Sequence, residues 1–366
     1  MKTVKFISAD INQKQFAAEV RKNVLAYFKD NKISTKGDAG LYFRTFLMIA
    51  CYVVPFILIF SLTIPNWLAF VFCILMGVGI AGTGMCTMHD AVHGAYSNKK
   101  WVNNLMGGTL YLLGSNVFNW KIQHNVLHHT YTNINGLDQD IESKGPIRLS
   151  DNAPLKKFHK YQFIHAFLFY GLMTLAKLTK DFTQLATYNK AGITKNYKFN
   201  PTLEYIKMVV FKLAYISVII GLPILYTQFT WWQVILGFFI MHWTAGAILS
   251  TVFQMAHVVE GAEQPLPDKN GVVNCDWTVH ELNTTSDFAP KNKLLNWYVG
   301  GLNFQIEHHI FPNICHIHYP KIAPIVEATA KKYGYQYNLK PSLWDAFKSH
   351  VIRLKELGQP LPAIAN

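Results

Sequence analysis

The sequence predicts an all-α integral membrane protein with four transmembrane helices in two hairpins, interfacial helices and a cytosolic cap. Hydrophobic residues make up 51% of the 366 residues, and charged residues make up only 15%. A soluble domain carries roughly 25% charged residues, so this composition favours a membrane protein. Two apolar hairpins and the placement of the basic residues predict the same fold class.

The first predicted hairpin consists of spans at about residues 46–62 and 67–88. Its second span has no charged residue in 22 positions, and about 20 apolar residues suffice to cross a bilayer. This span also carries four glycines, Gly77, Gly79, Gly82 and Gly84. Because glycine has no side chain, we expect a neighbouring helix to approach closely there.

The second predicted hairpin consists of spans at about residues 208–226 and 231–256. Two shorter uncharged stretches, 102–117 and 163–176, lie between the hairpins. They are short for a span and contain Asn, Ser or Thr. We therefore predict interfacial or re-entrant helices there.

The basic residues predict the orientation of the chain in the membrane. The 34 Lys and Arg residues lie before, between and after the hairpins or at the start of the third span, and neither hairpin turn contains one. The positive-inside rule then places both termini and the middle loop in the cytosol. The net charge of +13 would coat the cytosolic membrane face, whereas nucleic-acid binding would require one basic face of a soluble domain.

The chain is predicted to form one domain, because no repeat, low-complexity segment or Pro/Ser-rich linker interrupts it. We predict a cytosolic N-terminal segment at 1–45, a membrane domain at 46–335 and a cytosolic C-terminal tail at 336–366. The polar N-terminus is not expected to be a secretory signal. The five cysteines form no Cys-x-x-Cys pair, and we expect them to be reduced and structural.

The histidines carry most of the functional information. They form three clusters and one lone residue on the cytosolic side of the predicted spans, namely His89 and His93, His124, His128 and His129, His308 and His309, and His257. Helical residues four apart share a face, so the imidazoles of His89 and His93 can reach one centre, and those of His124 and His128 share a face in the same way. The predicted topology brings all four sites to the same side of the membrane.

These eight histidines predict a metal site rather than core packing. A packed core prefers aliphatic and aromatic residues, and buried imidazole nitrogens need polar partners. Eight ligands exceed the four of a tetrahedral zinc but suit two metals with open positions for O₂. Imidazole binds Fe, Zn, Cu and Ni, which leaves the metal open. Neither the Glu-x-x-His pair of soluble di-iron bundles nor the His-Glu-x-x-His motif of zinc proteases occurs.

We call the three histidine clusters the first, second and third histidine boxes, in chain order. With its boxes in this order and at this membrane depth, the chain resembles the histidine-box membrane fatty-acid desaturase family over roughly residues 40–335. Trp120 precedes the second box, Thr132-Asn133 and Asp138–Asp140 follow it, and Gly300-Gly301-Leu302-Asn303 leads into the third. The resemblance implies a di-iron site in the cytosolic cap, O₂ as co-substrate and acyl substrates. It also implies eight iron ligands, which are His89, His93, His124, His128, His129, His257, His308 and His309.

The third box begins with Gln305, where most branches of the family have His. A Gln at this position resembles the third box of the front-end desaturases, including the linoleoyl-CoA desaturase-like branch. These enzymes insert a double bond between an existing one and the carboxyl end, for example at Δ5 or Δ6. Because a Gln side chain can offer an amide oxygen or a hydrogen bond, Gln305 is a candidate ligand or a partner of one.

The His-Pro-Gly-Gly motif of a fused cytochrome b5 domain does not occur in the sequence. We therefore expect a separate electron donor of the ferredoxin, rubredoxin or cytochrome b5 type, and a bacterial inner membrane is favoured. The other expected partners are the lipid bilayer and a fatty-acyl substrate, and no nucleic acid is expected.

The resemblance implies the insertion of a cis double bond into an acyl chain linked to CoA, a carrier protein or a lipid. Side-chain acid–base chemistry cannot attack an unactivated methylene, so O₂ activation at the metals is required. Five carboxylates are candidates to orient ligand imidazoles, namely Asp90, Asp138, Asp140, Glu260 and Glu307. Three basic residues are candidates for headgroup contacts, namely Lys156, Lys157 and Lys160.

Two other functions share parts of this pattern. A membrane di-iron fatty-acyl or alkane hydroxylase would use the same kind of site and differ in its product. A metal transporter would carry ligands near the bilayer midplane, where the sequence places only His242.

About 22 Å of helix separate His242 from His257, so we predict that His242 packs or lines a tunnel. Among the other histidines, we expect His280 and His316 to lie closest to the site.

Overall fold

The computed structural model describes residues 4–142, 145–197 and 200–360, and the predicted all-α membrane fold is confirmed. Within these ranges, four helices are long and apolar enough to cross a membrane, namely Ala39–Ser61, Asn66–Val92, Pro201–Tyr226 and Trp231–His257. They form two hairpins with tight turns at residues 62–65 and 227–230. We refer to them as the first to fourth spans.

The first and third spans each begin seven residues before the predicted starts at 46 and 208. Polar side chains that cap the N-termini of these two helices explain the difference. The Asp38 side chain accepts a hydrogen bond from the backbone N–H of Leu41, and the Asn200 side chain accepts one from Leu203. Side chains of this kind satisfy the free N–H groups of a first helical turn. The apolar pattern shows which residues lie in the membrane core, whereas the capping residue determines where the helix begins.

Three of the four glycines in the second span lie at tight helix contacts. A Cβ atom added to Gly77 would lie 2.5 Å from the Met241 carbonyl oxygen, and one added to Gly79 would lie 2.5 Å from the Tyr52 nitrogen. A Cβ added to Gly82 would overlap the Met48 side chain. At Gly84 the nearest atom would be 3.7 Å away, so close approach is not the reason for that glycine.

The Gly79→Ala variant is expected to lower the stability of the detergent-solubilised protein by about 1–3 kcal/mol, the range typical of overpacking. The added Cβ would press on the backbone of the first span, which cannot yield as a flexible side chain can. The thermal midpoint of unfolding measures the effect. Gly84→Ala in the same span is the matched control, and an equal loss in both variants would contradict this packing argument.

The regions around the two predicted stretches, 102–117 and 163–176, are broken into several helices and turns. The first contains Lys100–Gly107, Thr109–Leu112, Val117–Trp120 and a π-helical turn at Lys121–His128. The second contains a 3₁₀ turn at Lys157–Tyr161, helices Gln162–Tyr170 and Met173–Lys190, and a 3₁₀ turn at Ile193–Asn196. Trp101 and Ile164 are 64% and 66% exposed, as expected for helices that face lipid at the membrane surface.

The cap consists of short helices and two small parallel strand pairs. The helices are Ile11–Asp30, Trp277–Thr284, Lys293–Tyr298, Gln305–Ile310, the 3₁₀ turn His316–His318, Tyr319–Lys332 and Leu343–Leu357. The strand pairs are Lys5–Phe6 with Val272–Val273 and Asp287–Phe288 with Leu339–Lys340. The main cap core packs the Ile11–Asp30 helix against the Tyr319–Lys332 helix, and none of its described residues belongs to a span.

Both ends of the described chain pack into the rest of the protein. The Leu343–Leu357 helix packs against the Gln162–Tyr170 helix, and Leu354 and Leu357 are fully buried. The predicted boundaries of the membrane domain, at residues 45 and 335, remain predictions, and packing is continuous across both. Residues 1–3 and 361–366 of the two predicted terminal segments lie outside the described residues.

Candidate metal centre

The eight predicted histidine ligands come together in one cluster at the cap ends of the second and fourth spans. His93 is half-buried and the other seven are buried. The imidazoles of His129 and His309 stack with ring centres 4.4 Å apart, and those of His89 and His308 lie equally close. Helices far apart in sequence thus present their side chains to one small volume.

The cluster divides into two groups of nitrogen atoms that each lie within 4.8 Å of one another. One group consists of His89, His93, His124 and His308, and the other of His128, His257 and His309. His129 lies between them, because its imidazole also forms a group with His308 and His309. Groups of imidazoles like these could each hold a transition-metal ion.

The π-helical turn at Lys121–His128 shapes the second histidine box. Its backbone hydrogen bonds join residues five apart, such as the His129 N–H with the His124 carbonyl at 3.0 Å. This wide turn aligns residues i and i+5, so the Nε2 atoms of His124 and His129 lie 3.3 Å apart. The α-helical spacing expected from the sequence pairs His124 with His128, but these two side chains belong to different all-histidine groups and share a group only with Asp140. Such single π turns often occur at functional sites.

Polar side chains around the cluster contact the imidazole nitrogens that face away from its centre. Nδ1 of His128 donates to Asp138 at 2.9 Å, and Nδ1 of His124 donates to Asp140 at 3.1 Å. Nδ1 of His309 lies 2.7 Å from the Glu281 carboxylate. Nδ1 of His308 lies 3.1 Å from the Tyr319 hydroxyl. These contacts fix the ring orientation and direct Nε2 into the cluster, as carboxylates do behind metal-bound histidines.

The inward-facing nitrogens are suited to metal binding. The Nε2 atoms of His128, His308 and His309 are buried and have no hydrogen-bond partner within the described part of the chain. An unpaired buried polar atom is costly unless another partner satisfies it. A transition-metal ion bound by imidazole would satisfy these nitrogens, so the residues present fit two such ions.

The electrostatics of the site favour neutral imidazoles. Burial, followed by the neighbouring imidazoles, lowers the pKa of five of them, namely His93, His124, His129, His308 and His309. A neutral imidazole keeps a lone pair for a metal. His128 differs, because the carboxylates of Asp138 and Asp140 raise its pKa although burial opposes them.

The other predicted carboxylates lie elsewhere. Asp90 accepts hydrogen bonds from the Cys315 thiol at 3.0 Å and from Nδ1 of His316 at 2.8 Å, and so joins the second span to the segment after the third box. Glu307 accepts from the Tyr337 hydroxyl at 2.9 Å. Glu260 is exposed, and the structure does not bring its carboxylate to the cluster.

Gln305 is buried next to His257. Its amide oxygen has no partner among the described residues. A Gln side chain therefore occupies the edge of the His128, His257 and His309 group. Its role as a ligand or as the partner of a ligand stays a prediction.

Glu281 and Tyr319 are the two contacts that sequence reasoning missed. Glu281 is fully buried, and burial raises its pKa well above the usual value, partly offset by the hydrogen bond from Thr132. Neither residue has a recurring spacing relative to a histidine box. The only available signal is a charged residue within the largely uncharged helix Trp277–Thr284.

Lys156, Lys157 and Lys160 are exposed around the 3₁₀ turn Lys157–Tyr161, and their headgroup role stays a prediction. His242 is buried in the fourth span, with Nε2 2.8 Å from the Tyr215 hydroxyl and Nδ1 3.0 Å from the Thr174 hydroxyl. Both of its nitrogens are therefore occupied. This arrangement favours the packing role predicted for His242.

The remaining histidines lie outside the two groups. The ring of His280 packs against Phe6, and His316 contacts Asp90 beside His89. His350 bridges Tyr170 and the Val258 carbonyl. His159, His165 and His318 bond to backbone groups.

The fold and the site together define an integral membrane protein with a histidine-rich cluster of the metal-binding type. Comparison with known proteins gives the particular family. The family model for fatty acid desaturases matches residues 65–341, so the chain belongs to the fatty acid desaturase family.

Three relatives illustrate where the chain lies within this family. It is 34% identical to the sn-1 linoleoyl-lipid 6-desaturase of Arthrospira platensis, over 93% of this chain and 92% of the relative. It is 32% identical to the acyl-lipid (8-3)-desaturase of Physcomitrium patens, over 96% and 73%. It is 29% identical to the sn-1 linoleoyl-lipid 6-desaturase of Synechocystis sp., over 94% and 96%.

These comparisons confirm the predicted front-end branch of the family. The protein is an oxidoreductase that desaturates fatty-acyl chains in a membrane, in a family that generally depends on iron. The hydroxylase and metal-transporter alternatives are not favoured by these relatives.

Proposed function

We propose that this desaturase inserts a cis double bond at Δ6 of an acyl chain that is esterified in a membrane lipid. Two of the relatives above are named linoleoyl-lipid 6-desaturases, and Gln305 begins the third box as expected for front-end enzymes. Insertion at Δ5 is the nearest alternative, and CoA or a carrier protein is the alternative acyl carrier.

We propose that the eight histidines hold two iron ions. His89, His93, His124 and His308 would hold one, and His128, His257 and His309 the other, with His129 between them. The observation that carries this assignment is that the buried Nε2 atoms of His128, His308 and His309 have no partner among the described residues, while the Nδ1 atom of each of these three rings is held by a polar side chain. Bound iron would supply the O₂ activation that breaks unactivated C–H bonds, which no side chain can do.

The protein's own residues would position the acyl chain and exclude water. The Trp120 ring lies 4.4 Å from the His124 ring and closes one side of the cluster. Trp120 also packs against an apolar group between the spans that includes Met88, Met76 and Met241. Met76 and Met241 also line an apolar cavity of about 440 Å³ toward the hairpin turns. We propose that the acyl chain runs along this apolar path, whose dry walls favour chemistry on a methylene.

We propose that both termini and the histidine cluster face the cytosol, with the bacterial inner membrane as the location. The basic residues support this orientation, because neither hairpin turn contains a Lys or Arg. The acyl carrier group would then remain at the cytosolic surface. Two electrons per double bond would come from a separate redox protein.

The test is expression in a bacterial host that makes no polyunsaturated fatty acids, together with a ferredoxin and its reductase. Cultures fed linoleate are expected to accumulate a product with a new double bond at C6, located by gas chromatography–mass spectrometry. Thin-layer separation of lipid classes and acyl-CoA after a short pulse identifies the acyl carrier. His308→Ala should abolish the product, because it removes an imidazole from the centre of the cluster.

His165→Ala is the matched control, since His165 lies outside both groups, hydrogen-bonds to the Pro146 carbonyl and packs against the Phe169 ring. A product with a new double bond at another position would contradict the Δ6 assignment. Hydroxylated acids in place of alkenes would contradict desaturation.

A further inference from the structure

Trp277 connects the protein surface to the histidine cluster. It is partly exposed, and its indole N–H donates a hydrogen bond to the backbone carbonyl of His129 at 3.3 Å. One turn later on the same helix, Glu281 contacts Nδ1 of His309. A surface aromatic ring is therefore joined through short contacts to two of the eight histidines.

The surface next to Trp277 is basic. The guanidinium of Arg21 lies over the Trp277 ring, 6.0 Å from its centre. Arg21 belongs to the Ile11–Asp30 helix, on which Lys14, Lys22 and Lys29 are also exposed. Their spacing from Lys14 of seven, eight and fifteen residues places all four cations on one side of the helix.

Acidic side chains do not cancel this charge. The helix carries two acidic residues: Glu19 is bound to Lys332 of the neighbouring helix at 2.6 Å, and Asp30 is exposed but lies sixteen residues from Lys14, on the opposite side of the helix. Leu25 lies among the basic residues and is 58% exposed. A basic surface with an exposed apolar side chain is suited to an acidic protein partner.

The position of this helix favours a protein partner over a lipid surface. Its buried side, formed by Phe16, Val20, Val24 and Phe28, packs into the main cap core. None of the described residues of that core belongs to a span. The exposed basic side is therefore carried by the cap and not by the membrane-spanning helices.

We propose that this basic surface docks a small acidic one-electron redox protein and that electrons enter the site through Trp277. The inference rests on the function proposed above. Each double bond consumes one O₂, two electrons from two reduced donor molecules and two protons, and two C–H bonds become one C=C bond and two water molecules. A partly exposed ring that is hydrogen-bonded to the backbone of His129 shortens the gap that each electron crosses.

The docking test measures the affinity of a plant-type [2Fe–2S] ferredoxin for the protein in nanodiscs at low ionic strength. The double variant Arg21→Glu/Lys22→Glu is expected to weaken this affinity about tenfold, because like charges would then face each other. Added salt should weaken the affinity of the unmodified protein, since it screens exposed charges. Lys348→Glu, an equal charge reversal on the exposed side of a different helix, is the matched control.

The electron-entry test compares two reductants for the metal-loaded enzyme, reduced ferredoxin and the small mediator methyl viologen. Trp277→Ala is expected to lower the ratio of ferredoxin-driven to viologen-driven alkene formation about tenfold. Trp277→Phe, which keeps an aromatic ring, should recover part of that ratio. The iron content of each variant reports whether the cluster is intact.

The outcomes separate this inference from the proposed function. Unchanged ferredoxin affinity after the double charge reversal would overturn the docking surface, and an unchanged ratio in Trp277→Ala would overturn the entry route. In both cases alkene formation would persist. No alkene with either reductant would overturn the proposed function, and this inference with it.

Discussion

The His128→Ala variant should lose at least about a hundredfold in desaturation and retain about one iron per chain in place of two. Removal of a histidine's outer hydrogen-bond partner alone typically costs 10–100-fold in metal affinity or activity, and loss of the ligand should cost more. His128 belongs to the group with only three histidines, so two would remain there. The group of four histidines around His89 would stay complete.

Iron analysis by mass spectrometry and product analysis on the same preparations check this prediction. His165→Ala should retain full iron and activity, because that imidazole lies outside both groups. Full iron content in the His128→Ala protein would contradict the proposed division of the ligands. Loss of both irons together would indicate that the two groups form one cooperative site.

The Glu281→Gln variant is expected to lower iron affinity or activity by about 10–100-fold with little change in fold. The Glu281 carboxylate faces Nδ1 of His309 at 2.7 Å and also accepts from the Thr132 hydroxyl at 2.7 Å. Glutamine has the same shape, but its amide replaces the carboxyl group that holds Nδ1 of His309. Partners of this kind orient a metal-bound histidine, and their replacement weakens metal binding or activity.

Glu260→Gln provides the matched control, since the same chemical change is made at an exposed carboxylate. Iron titration of the metal-depleted proteins gives the affinity, and thermal unfolding of the same samples tests the fold. Equal effects at the two positions would contradict the role assigned to Glu281. A loss of thermal stability without a loss of iron affinity would assign Glu281 to the core alone.

The membrane architecture could be predicted because it depends on local composition. Two apolar hairpins and the absence of Lys and Arg from their turns predict four spans, and the structure has four such helices in its described residues. The span starts were less accurate, because Asp38 and Asn200 cap helices beyond the apolar stretch. Lipid solvation determines the apolar length, whereas hydrogen bonding determines where the helix begins.

The histidine boxes were also visible in the sequence, because several imidazoles at short spacing are rarely needed for packing. Their division into two groups was not visible. The π turn at Lys121–His128 shifts the second box from the expected spacing of four residues to five. Such a turn depends on packing around it and has no simple residue signature.

The sequence by itself determined the fold class, the family and the histidines that meet in the cap. These depend on hydrophobic length, charge placement and residue spacing, which are local properties of the chain. The tertiary structure alone decided which histidines share a group, and that Glu281 rather than Glu260 lies behind an imidazole. It also decided that Trp277 reaches from a basic surface to His129. Such contacts join residues far apart in sequence, and their free energy depends on burial and geometry that exist only after folding.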